Sequence, residues 1–432
     1  MYGGGKAMRK NLNKLIAFGI GLSVMSANIV PALGDEAVNK EKISISNESI
    51  EKRDLNVLSL QDVIDAGISH DDQMKIYSNQ IKYYKDLEDY YDEKDDDFGE
   101  DENNINIDST KQSKQFRSDA VEHEMIMLYN NILLLQKQIE LQENVVRNKI
   151  AETESFETKV KIGLKTSIEL ETQKHDLQKE KDTLQDENNR LKDLKKKLTL
   201  MTGINIEDYF LDDTLKFNPL KIEDDLDDYI DDKINTITKY SKELVDLYED
   251  ETDDLEDDDY DDIESLIDSA ENKVHESDYQ TEIVDSVTGE TTLKTNSAAY
   301  KAAKESAKDS ALQEYKGYLE LRMLGENKKS QLNIQEKTYK NTLRSAYTDM
   351  LAMEKKINQM INEINTTNKI LLNLKVKYDL GLIAENDYSI EIVKYRQMDI
   401  ELRKQANSYY ELVTAFEKPW AIDNSLTNHK QD

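Results

Sequence analysis

The feature that most constrains this chain is a heptad seam that runs from Tyr339 to Tyr378. Mostly apolar residues recur along it with alternating spacings of four and three, and neither glycine nor proline interrupts them. This spacing keeps one stripe of side chains facing a partner along a single long helix, as in a coiled coil. The seam positions are Tyr339, Leu343, Ala346, Met350, Met353, Ile357, Met360, Ile364, Thr367, Leu371, Leu374 and Tyr378. A periodic stripe of this kind is compatible with a partner helix of the same chain or of a neighbouring subunit.

A second seam with the same phase lies 218 residues earlier, which is the separation of Gly381 from Gly163. It consists of Ile132, Leu135, Ile139, Val146, Phe156 and Val160, which correspond to Met350, Met353, Ile357, Ile364, Leu374 and Tyr378. The register continues beyond the glycines, with Leu170, Leu177, Leu184, Leu191 and Leu198 corresponding to Tyr388, Tyr395, Leu402, Tyr409 and Phe416. The sequence therefore predicts two copies of one unit: a long helix, a Gly-Leu turn and a returning helix.

These patterns predict an all-α fold of long antiparallel coiled-coil helices, arranged as tandem duplicated helical hairpins. The first repeat is assigned to residues 58–218 and the second to 219–420, because Pro219 and Pro419 bracket the second copy. The first repeat opens with Ser59 as a predicted N-cap and Asp62 as the capping-box acid. A C-terminal tail is assigned to residues 421–432.

Three segments interrupt the predicted helical pattern. An acidic linker is assigned to residues 93–111, and a second acidic run covers 249–264. An insertion in the second copy, at about 279–296, is rich in threonine and predicts one short β-hairpin with Gly289 in its turn. Solvated, self-repelling linkers are the favoured interpretation of the acidic runs. Binding of divalent cations by their carboxylates is the alternative.

The N-terminus has the pattern of an export signal, assigned to residues 1–34. Basic residues precede an apolar run from Leu15 to Val24, and Ala32 and Gly34 provide the small residues of a cleavage site. An uncleaved anchor is the alternative interpretation. Residues 35–57 are assigned to a flexible leader. The signal predicts localisation in the cell envelope or on its outer face, which means outer membrane or periplasm if the source has two membranes.

Composition excludes several classes of protein. The 432 residues carry a formal net charge of −32 and contain no cysteine. Without cysteine the chain has no disulfide scaffold, no thiol catalysis and no thiolate metal site. An acidic surplus of this size argues against a nucleic-acid backbone as partner.

Signatures of catalysis and of metal binding are missing from the sequence. His123-Glu124-Met125-Ile126-Met127 begins like a zinc-protease motif but has Met127 where the second histidine is required. An EF-hand loop with Gly99 at its sixth position would start at Lys94 and end at Ile105, which are not calcium ligands. We therefore predict no enzymatic activity, no catalytic residues, no cofactor and no metal site.

The duplicated unit resembles the TolC family of outer-membrane efflux proteins. The resemblance rests on Leu58–Ile64, on the turns Val160–Leu164 and Tyr378–Leu382, and on the ending Leu198–Gly203 of the first copy. It covers most of the chain from about Leu58 to Trp420. The departure from the family pattern is in the strands that form its membrane barrel. The acidic stretch of the first copy and the charged hairpin of the second identify this chain as a divergent member with those strands reduced or lost.

The resemblance implies a non-enzymatic component of an efflux or secretion assembly, in which three chains form a helical conduit. The implied partners are a membrane-fusion adaptor protein and an ABC-type or other inner-membrane transporter. The implied adaptor-docking tips are Gly163, Leu164, Thr166, Ser167, Gly381 and Leu382. The alternative for the glycines is that they only make tight turns between helices.

Two further expectations follow from the resemblance. Asp387 matches a position at which some family members narrow the tunnel entrance with aspartates, whereas Ile390 does not match the second such position. A solvated surface aspartate is the alternative for Asp387. For the whole chain, the alternative is a structural coiled-coil spacer of the cell envelope that displays acidic loops to wall polymers or cations.

Overall fold

A computed structural model of the chain describes residues 57–213, 217–222, 225–257, 260–284 and 291–422. The predicted signal peptide, the leader up to residue 56, the turn at Gly289 and the tail beyond Ile422 lie outside the described residues. Long helices dominate the rest, so the predicted all-α class is confirmed. The helices are α1 (Leu60–His70), α2 (Asp72–Asp92), α3 (Asp97–Lys161), α4 (Ser167–Thr202), α5 (Leu226–Asp257), α6 (Ile263–Asn272), α7 (Ser297–Asp379), α8 (Glu385–Glu417) and α9 (Pro419–Ile422).

Two small strand pairs accompany these helices. The predicted β-hairpin is confirmed as the antiparallel pair β3 (Gln280–Val284) and β4 (Thr291–Thr295), in which Glu282 is opposite Leu293. A parallel pair joins β1 (Val57–Leu58) to β2 (Phe210–Leu211). Val57, which the sequence assigned to the leader, belongs to this pair because its backbone bonds to the segment that follows α4.

The acidic linker predicted at residues 93–111 is wrong for most of its length, because α3 begins at Asp97. Asp97 and Glu100 lie in the first turn of α3, where the positive end of the helix dipole favours carboxylates. The Asn103 side chain donates a 2.9 Å hydrogen bond to the Tyr84 carbonyl, and the Tyr248 hydroxyl donates one of 2.8 Å to Glu102. Because its side chains bond to residues of α2 and α5, this segment is packed against other helices and is not a solvated, self-repelling linker.

The second acidic run, 249–264, is also largely helical rather than a linker. It continues α5 as far as Asp257, and α6 starts again at Ile263 with the Asp262 side chain as its N-cap. At the other end of the chain, Ala421 and Ile422 were assigned to the tail but belong to α9. That short helix includes Trp420, which is buried.

The chain divides into two compact units. The unit named here the acidic unit comprises Tyr77–Gln112 and Asp231–Lys340 among the described residues. The unit named the seam unit comprises the described parts of Ala27–Ile76, Ser113–Ile230 and Asn341–Asp432. Both acidic runs lie within the acidic unit, whereas the heptad seam lies almost entirely within the seam unit.

The heptad seam is buried in the seam unit as its spacing predicts. Met350, Ile357 and Ile364 on α7 pack with Leu402 and Tyr409 on α8 in one apolar cluster. Each of these side chains is at most 3 % exposed. Burial of a large apolar side chain contributes about 1.5–3 kcal/mol, so this cluster is a major source of the stability of the second helix pair.

The first helix pair has its own core in the same unit. Met125, Tyr129 and Ile132 on α3 pack with Val63 on α1 and Leu198 on α4. Gly67 lets α1 approach closely, since a Cβ at that position would lie only 2.7 Å from the Met125 Cγ atom. In both helix pairs, buried residues predominate in the part of the seam far from the turn that joins the two helices. The seam residues next to that turn are half-buried.

A buried tyrosine connects this core to the strand pair. The Tyr129 hydroxyl donates a 3.0 Å hydrogen bond to the Leu58 carbonyl and accepts one of 2.7 Å from the Asp212 backbone N–H. Burial raises the pKa of Tyr129 to about 12. The hydroxyl therefore stays protonated and continues to bond both segments throughout the neutral range.

We expect Tyr129→Phe to destabilise the seam unit by about 1–3 kcal/mol, because it removes the hydrogen bonds that the hydroxyl makes with Leu58 and Asp212. Urea unfolding followed by the fluorescence of Trp420, the only tryptophan, measures this unit directly. Tyr378→Phe is the matched control, since the Tyr378 hydroxyl makes no hydrogen bond to the described residues. Equal unfolding midpoints for the two variants would contradict the prediction.

The acidic unit is held together by apolar packing and by ion pairs between α5 and α7. Leu244, Tyr248 and Leu255 on α5 pack with Tyr318 and Leu321 on α7. The ion pairs Lys242–Glu336, at 2.8 Å, and Lys340–Asp231, at 2.6 Å, join the same two helices. In the second pair, Lys340 of α7 compensates one acidic residue of α5, whereas in the first the lysine belongs to α5.

One carboxyl group of α5 remains in an unfavourable environment. Burial raises the pKa of Glu251 to about 7, and Asp254 and Asp96 add to the effect. A carboxyl group whose pKa is raised on folding binds a proton that the unfolded chain has released. Stability therefore falls as pH rises from the model-peptide value of 4.5 to about 7.

We expect Glu251→Gln to remove this pH dependence. Relative to wild type, the variant should gain about 1 kcal/mol at pH 8 and almost nothing at pH 4.5, after allowance for the partial exposure of the side chain. Hydrogen exchange of α5 peptides at the two pH values measures the difference. Asp250→Asn changes the same charge at an exposed neighbouring position and reports the effect of net charge alone. A gain for Glu251→Gln that is equal at both pH values would rule out the explanation.

Candidate docking turns

The turn between α3 and α4 is closed by a Schellman motif at Gly163. The Gly163 N–H donates to the Val160 carbonyl at 3.0 Å, and the Leu164 N–H donates to the Lys159 carbonyl at 2.8 Å. Gly163 has a φ of +76°, a left-handed conformation that glycine adopts without strain. The two bonds satisfy carbonyls at the end of α3 and reverse the chain within a few residues.

The chain enters α4 through a capping box. The Thr166 hydroxyl accepts a 3.3 Å hydrogen bond from the Glu169 N–H, and the Thr166 N–H donates one of 2.9 Å to the Glu169 carboxylate. Lys165 pairs with the same carboxylate at 2.7 Å. Hydrogen bonds from Lys165 and Thr166 lower the pKa of Glu169 to about 2, so this cap stays charged under physiological conditions. Ser167 is the first residue of α4.

The turn between α7 and α8 repeats the Schellman geometry. The Gly381 N–H donates to the Tyr378 carbonyl at 2.8 Å, and the Leu382 N–H donates to the Lys377 carbonyl at 2.8 Å. Gly381 has a φ of +71°. The bonding pattern matches the first turn residue for residue at the separation of 218 positions that the sequence predicted.

The two turns differ at the start of the returning helix. The N-cap of α8 is Ala384, which has no side-chain hydrogen bond, whereas Thr166 caps α4. Asp387 occupies the position of Glu169, in the first turn of α8, and is exposed. The structure thus places Asp387 beside the second turn but gives it no capping role.

Aromatic contacts brace both turns. In the first, the Lys165 ammonium lies 5.2 Å from the centre of the Phe156 ring. In the second, Tyr378 on α7 stacks on Tyr388 on α8 with ring centres 5.3 Å apart. Each contact joins residues from the two sides of its turn, so both turns are held in one geometry.

Both turns expose large apolar side chains. Six isoleucine and leucine residues there are each more than half exposed, namely Ile162, Leu164, Ile168, Leu380, Leu382 and Ile390. Only Leu164 and Leu382 were predicted as tip residues. The other four could have been found as apolar residues that fall outside the heptad register. Because soluble surfaces rarely concentrate apolar groups in this way, the turns are the candidate contact sites of the chain.

No group of three or more histidine, aspartate or glutamate residues within the described part of the chain could hold a metal ion. No described helix combines the length and the apolar sequence that crossing a membrane requires. The docking roles predicted for the turn residues, and the gate role predicted for Asp387, remain predictions.

Similarity to known proteins is found among solved structures and not by sequence. No protein-family model matches the sequence, and no curated protein matches it. Among solved structures, the chain is similar to a membrane protein from Pseudomonas aeruginosa, with a TM-score of 0.50 and 10 % identity over 84 % of this chain and 92 % of the other. It also matches the CmeC outer membrane channel of Campylobacter jejuni, with a TM-score of 0.46 and 10 % identity over 93 % and 95 % of the two chains.

A further match is the open state of the MtrE outer membrane channel of Neisseria gonorrhoeae. Its TM-score is 0.46 at 10 % identity, and the alignment covers 91 % of this chain and 98 % of that one. At 10 % identity, the match to the Pseudomonas aeruginosa protein shows a likeness of fold alone, and the TolC resemblance stays a prediction from the sequence.

We expect Gly163→Ala to lower the stability of the C-terminal end of α3 by about 1 kcal/mol, because alanine is strained in the left-handed conformation. No neighbouring atom lies within 4 Å of a Cβ at Gly163, so the cost is purely one of the backbone. Hydrogen exchange of peptides spanning residues 156–166 measures it. Gly163→Asn is the matched control and should cost less, since asparagine tolerates this conformation. Unchanged exchange in the alanine variant would contradict the assignment.

Proposed function

We propose that this chain is a non-enzymatic, TolC-like component of an efflux or secretion assembly in the cell envelope. It acts as an oligomeric helical conduit or docking piece, as a trimer by its resemblance to the family. Its partners are a membrane-fusion adaptor and an ABC-type or other transporter. The observation that carries the proposal is the pair of matching turns, each of which projects apolar side chains from the end of a helix pair.

Exposure of these side chains supports a partner at the turns. A leucine that remains in water forgoes roughly 1.5–3 kcal/mol of burial free energy, and six such residues concentrate at the two turns. Scattered single apolar residues on a surface need no explanation, but concentrated ones mark interaction sites. Leu164 and Leu382 hold equivalent backbone positions, so one kind of helical partner can use both turns.

Rigidity of the turns also supports this role. The Schellman bonds, the Thr166–Glu169 capping box and the Tyr378–Tyr388 stack order the turns before any partner arrives. An ordered surface loses little conformational entropy on binding, which favours affinity. Ala384 gives α8 no side-chain cap, so an acidic or carbonyl group of the partner can bond to the N-terminus of that helix.

We also propose that Asp387 acts as a gate acid near the second turn. Its exposed carboxylate, repeated in each copy of an oligomer, would place several negative charges together. Asp387→Asn should then change the efflux rate of a cationic dye while leaving assembly unaltered. An unchanged rate would return Asp387 to an ordinary surface position.

The docking proposal is tested by complementing a deletion strain of the source organism. Deletion should raise the accumulation of an exported dye such as ethidium, and the wild-type gene should restore efflux. We expect Leu164→Asp with Leu382→Asp to lose at least tenfold of the restored efflux rate, because charges at the turns oppose an apolar contact. Protein level and native mass should remain those of wild type.

Leu200→Asp is the matched control, because Leu200 is a 78 % exposed leucine at the opposite end of α4 from the turn. It should restore efflux fully. A deletion without any effect on efflux, or a double variant as active as the control, would overturn the proposal. Calcium-dependent binding to wall polymers in that case would favour the envelope spacer instead.

A further inference from the structure

A cleft of about 750 Å³ lies in the seam unit, bounded by α3, α7 and α8. Ala352 and Met353 on α7 and Leu412 and Ala415 on α8 give it an apolar lining. This cleft is separate from the two turns discussed above. Ile422, the last described residue, also lines it.

Neighbouring contacts fix the point at which the chain reaches this cleft. The Trp420 ring stacks on Phe116 with centres 4.5 Å apart, and its indole N–H donates a 2.7 Å hydrogen bond to Asp119. The Lys418 ammonium donates to Asp119 at 3.0 Å and to Glu122 at 2.9 Å. These bonds anchor α9 on α3, so Ile422 is held at the wall of the cleft.

We propose that the cleft is the seat of the chain's own C-terminal segment, with Leu426 packed on the apolar lining beside Ala352. Leu426 is the only large apolar residue between positions 423 and 432. Four residues of extended chain reach about 13 Å, whereas the stretch of α7 from Asp349 to Lys356 rises about 10 Å. The segment is therefore long enough to place Leu426 anywhere along the lining.

Charge and tethering favour this occupant over others. Asp423 directly follows Ile422, and Lys356 in the lining offers it a positive partner. Farther along, Lys430 is of opposite charge to Glu411 and Asp349, which also line the cleft. A segment tethered next to its site acts at an effective concentration in the millimolar range, which a free ligand rarely matches.

An unsatisfied group in the cleft provides an independent reason for an occupant. The Nδ1 atom of His123 is buried and has no hydrogen-bond partner among the described residues. The imidazole ring stacks on Tyr410 with centres 5.7 Å apart, and burial lowers the pKa of His123. A buried nitrogen without a bond costs about 1–3 kcal/mol, and the proposed occupant carries the polar side chains of Asn424 and Ser425 next to Ile422 in the sequence.

Disulfide trapping tests the proposal cleanly because the full chain has no cysteine. We expect Ala352→Cys with Thr427→Cys to oxidise within one chain at least ten times faster than the control pair Leu351→Cys with Thr427→Cys. Leu351 is adjacent in sequence but lies outside the cleft and is 44 % exposed. Equal rates would overturn the proposal. So would disulfides between chains whose yield rises with protein concentration, since a second copy would then be the occupant.

A second measurement leaves the cleft residues unchanged. Stopping the chain after Ile422 should raise the rate at which hydroxyl radicals oxidise Met353 at least threefold. Met323, also on α7 but 58 % exposed, is the internal reference and should not change. Leu426→Asp in the full chain should reproduce most of the increase. Equal oxidation of Met353 with and without the segment would contradict the proposal. Neither outcome depends on efflux, so this proposal can fail while the proposed function stands.

Discussion

Burial of the heptad seam between paired helices is the interaction on which the rest of this structure depends. Met350, Ile357 and Ile364 meet Leu402 and Tyr409 along α7 and α8 with almost no exposed surface. The seam buries one stripe of each helix and leaves the other faces of that helix in water. Those faces can therefore carry many charged residues. The chain must also turn back tightly between the two helices of each pair. Gly163 and Gly381 allow these turns because they adopt positive φ.

Polar anchors then connect the helix pairs to the segments that join them. Tyr409, whose pKa burial raises to about 12, accepts a 2.8 Å hydrogen bond from the Leu220 N–H. The buried Arg403 guanidinium donates to the Asp213 carbonyl at 3.0 Å and to Asp399 at 3.1 Å. Both anchors lie on α8 and bond to the backbone of Asp213 and Leu220, which lie between α4 and α5 in the chain. A buried donor or acceptor is costly when unpaired, so these bonds fix the positions of Asp213 and Leu220.

The two turns show how one backbone can support different surfaces. Their Schellman bonds are the same, yet Thr166 and Glu169 give the first turn a charged cap, while Ala384 leaves the second without one. Apolar exposure at both turns is what the proposed function explains. The cleft beside Ile422 is a separate feature of the same unit, and its proposed occupant comes from the chain itself.

The sequence by itself determined the helix pairs, the glycine turns and the β-hairpin, because heptad spacing, positive-φ glycines and turn residues are local signals. It also predicted a resemblance to the TolC family from those same motifs, and that resemblance stays a prediction. Only the tertiary structure decided that residues 97–111 are helical, since the contacts of Asn103 and Glu102 with α2 and α5 are invisible to a count of charges. The same holds for the exposed Ile162 and Leu380, because the periodic pattern specifies what faces a partner helix, whereas exposure depends on which faces the fold leaves uncovered.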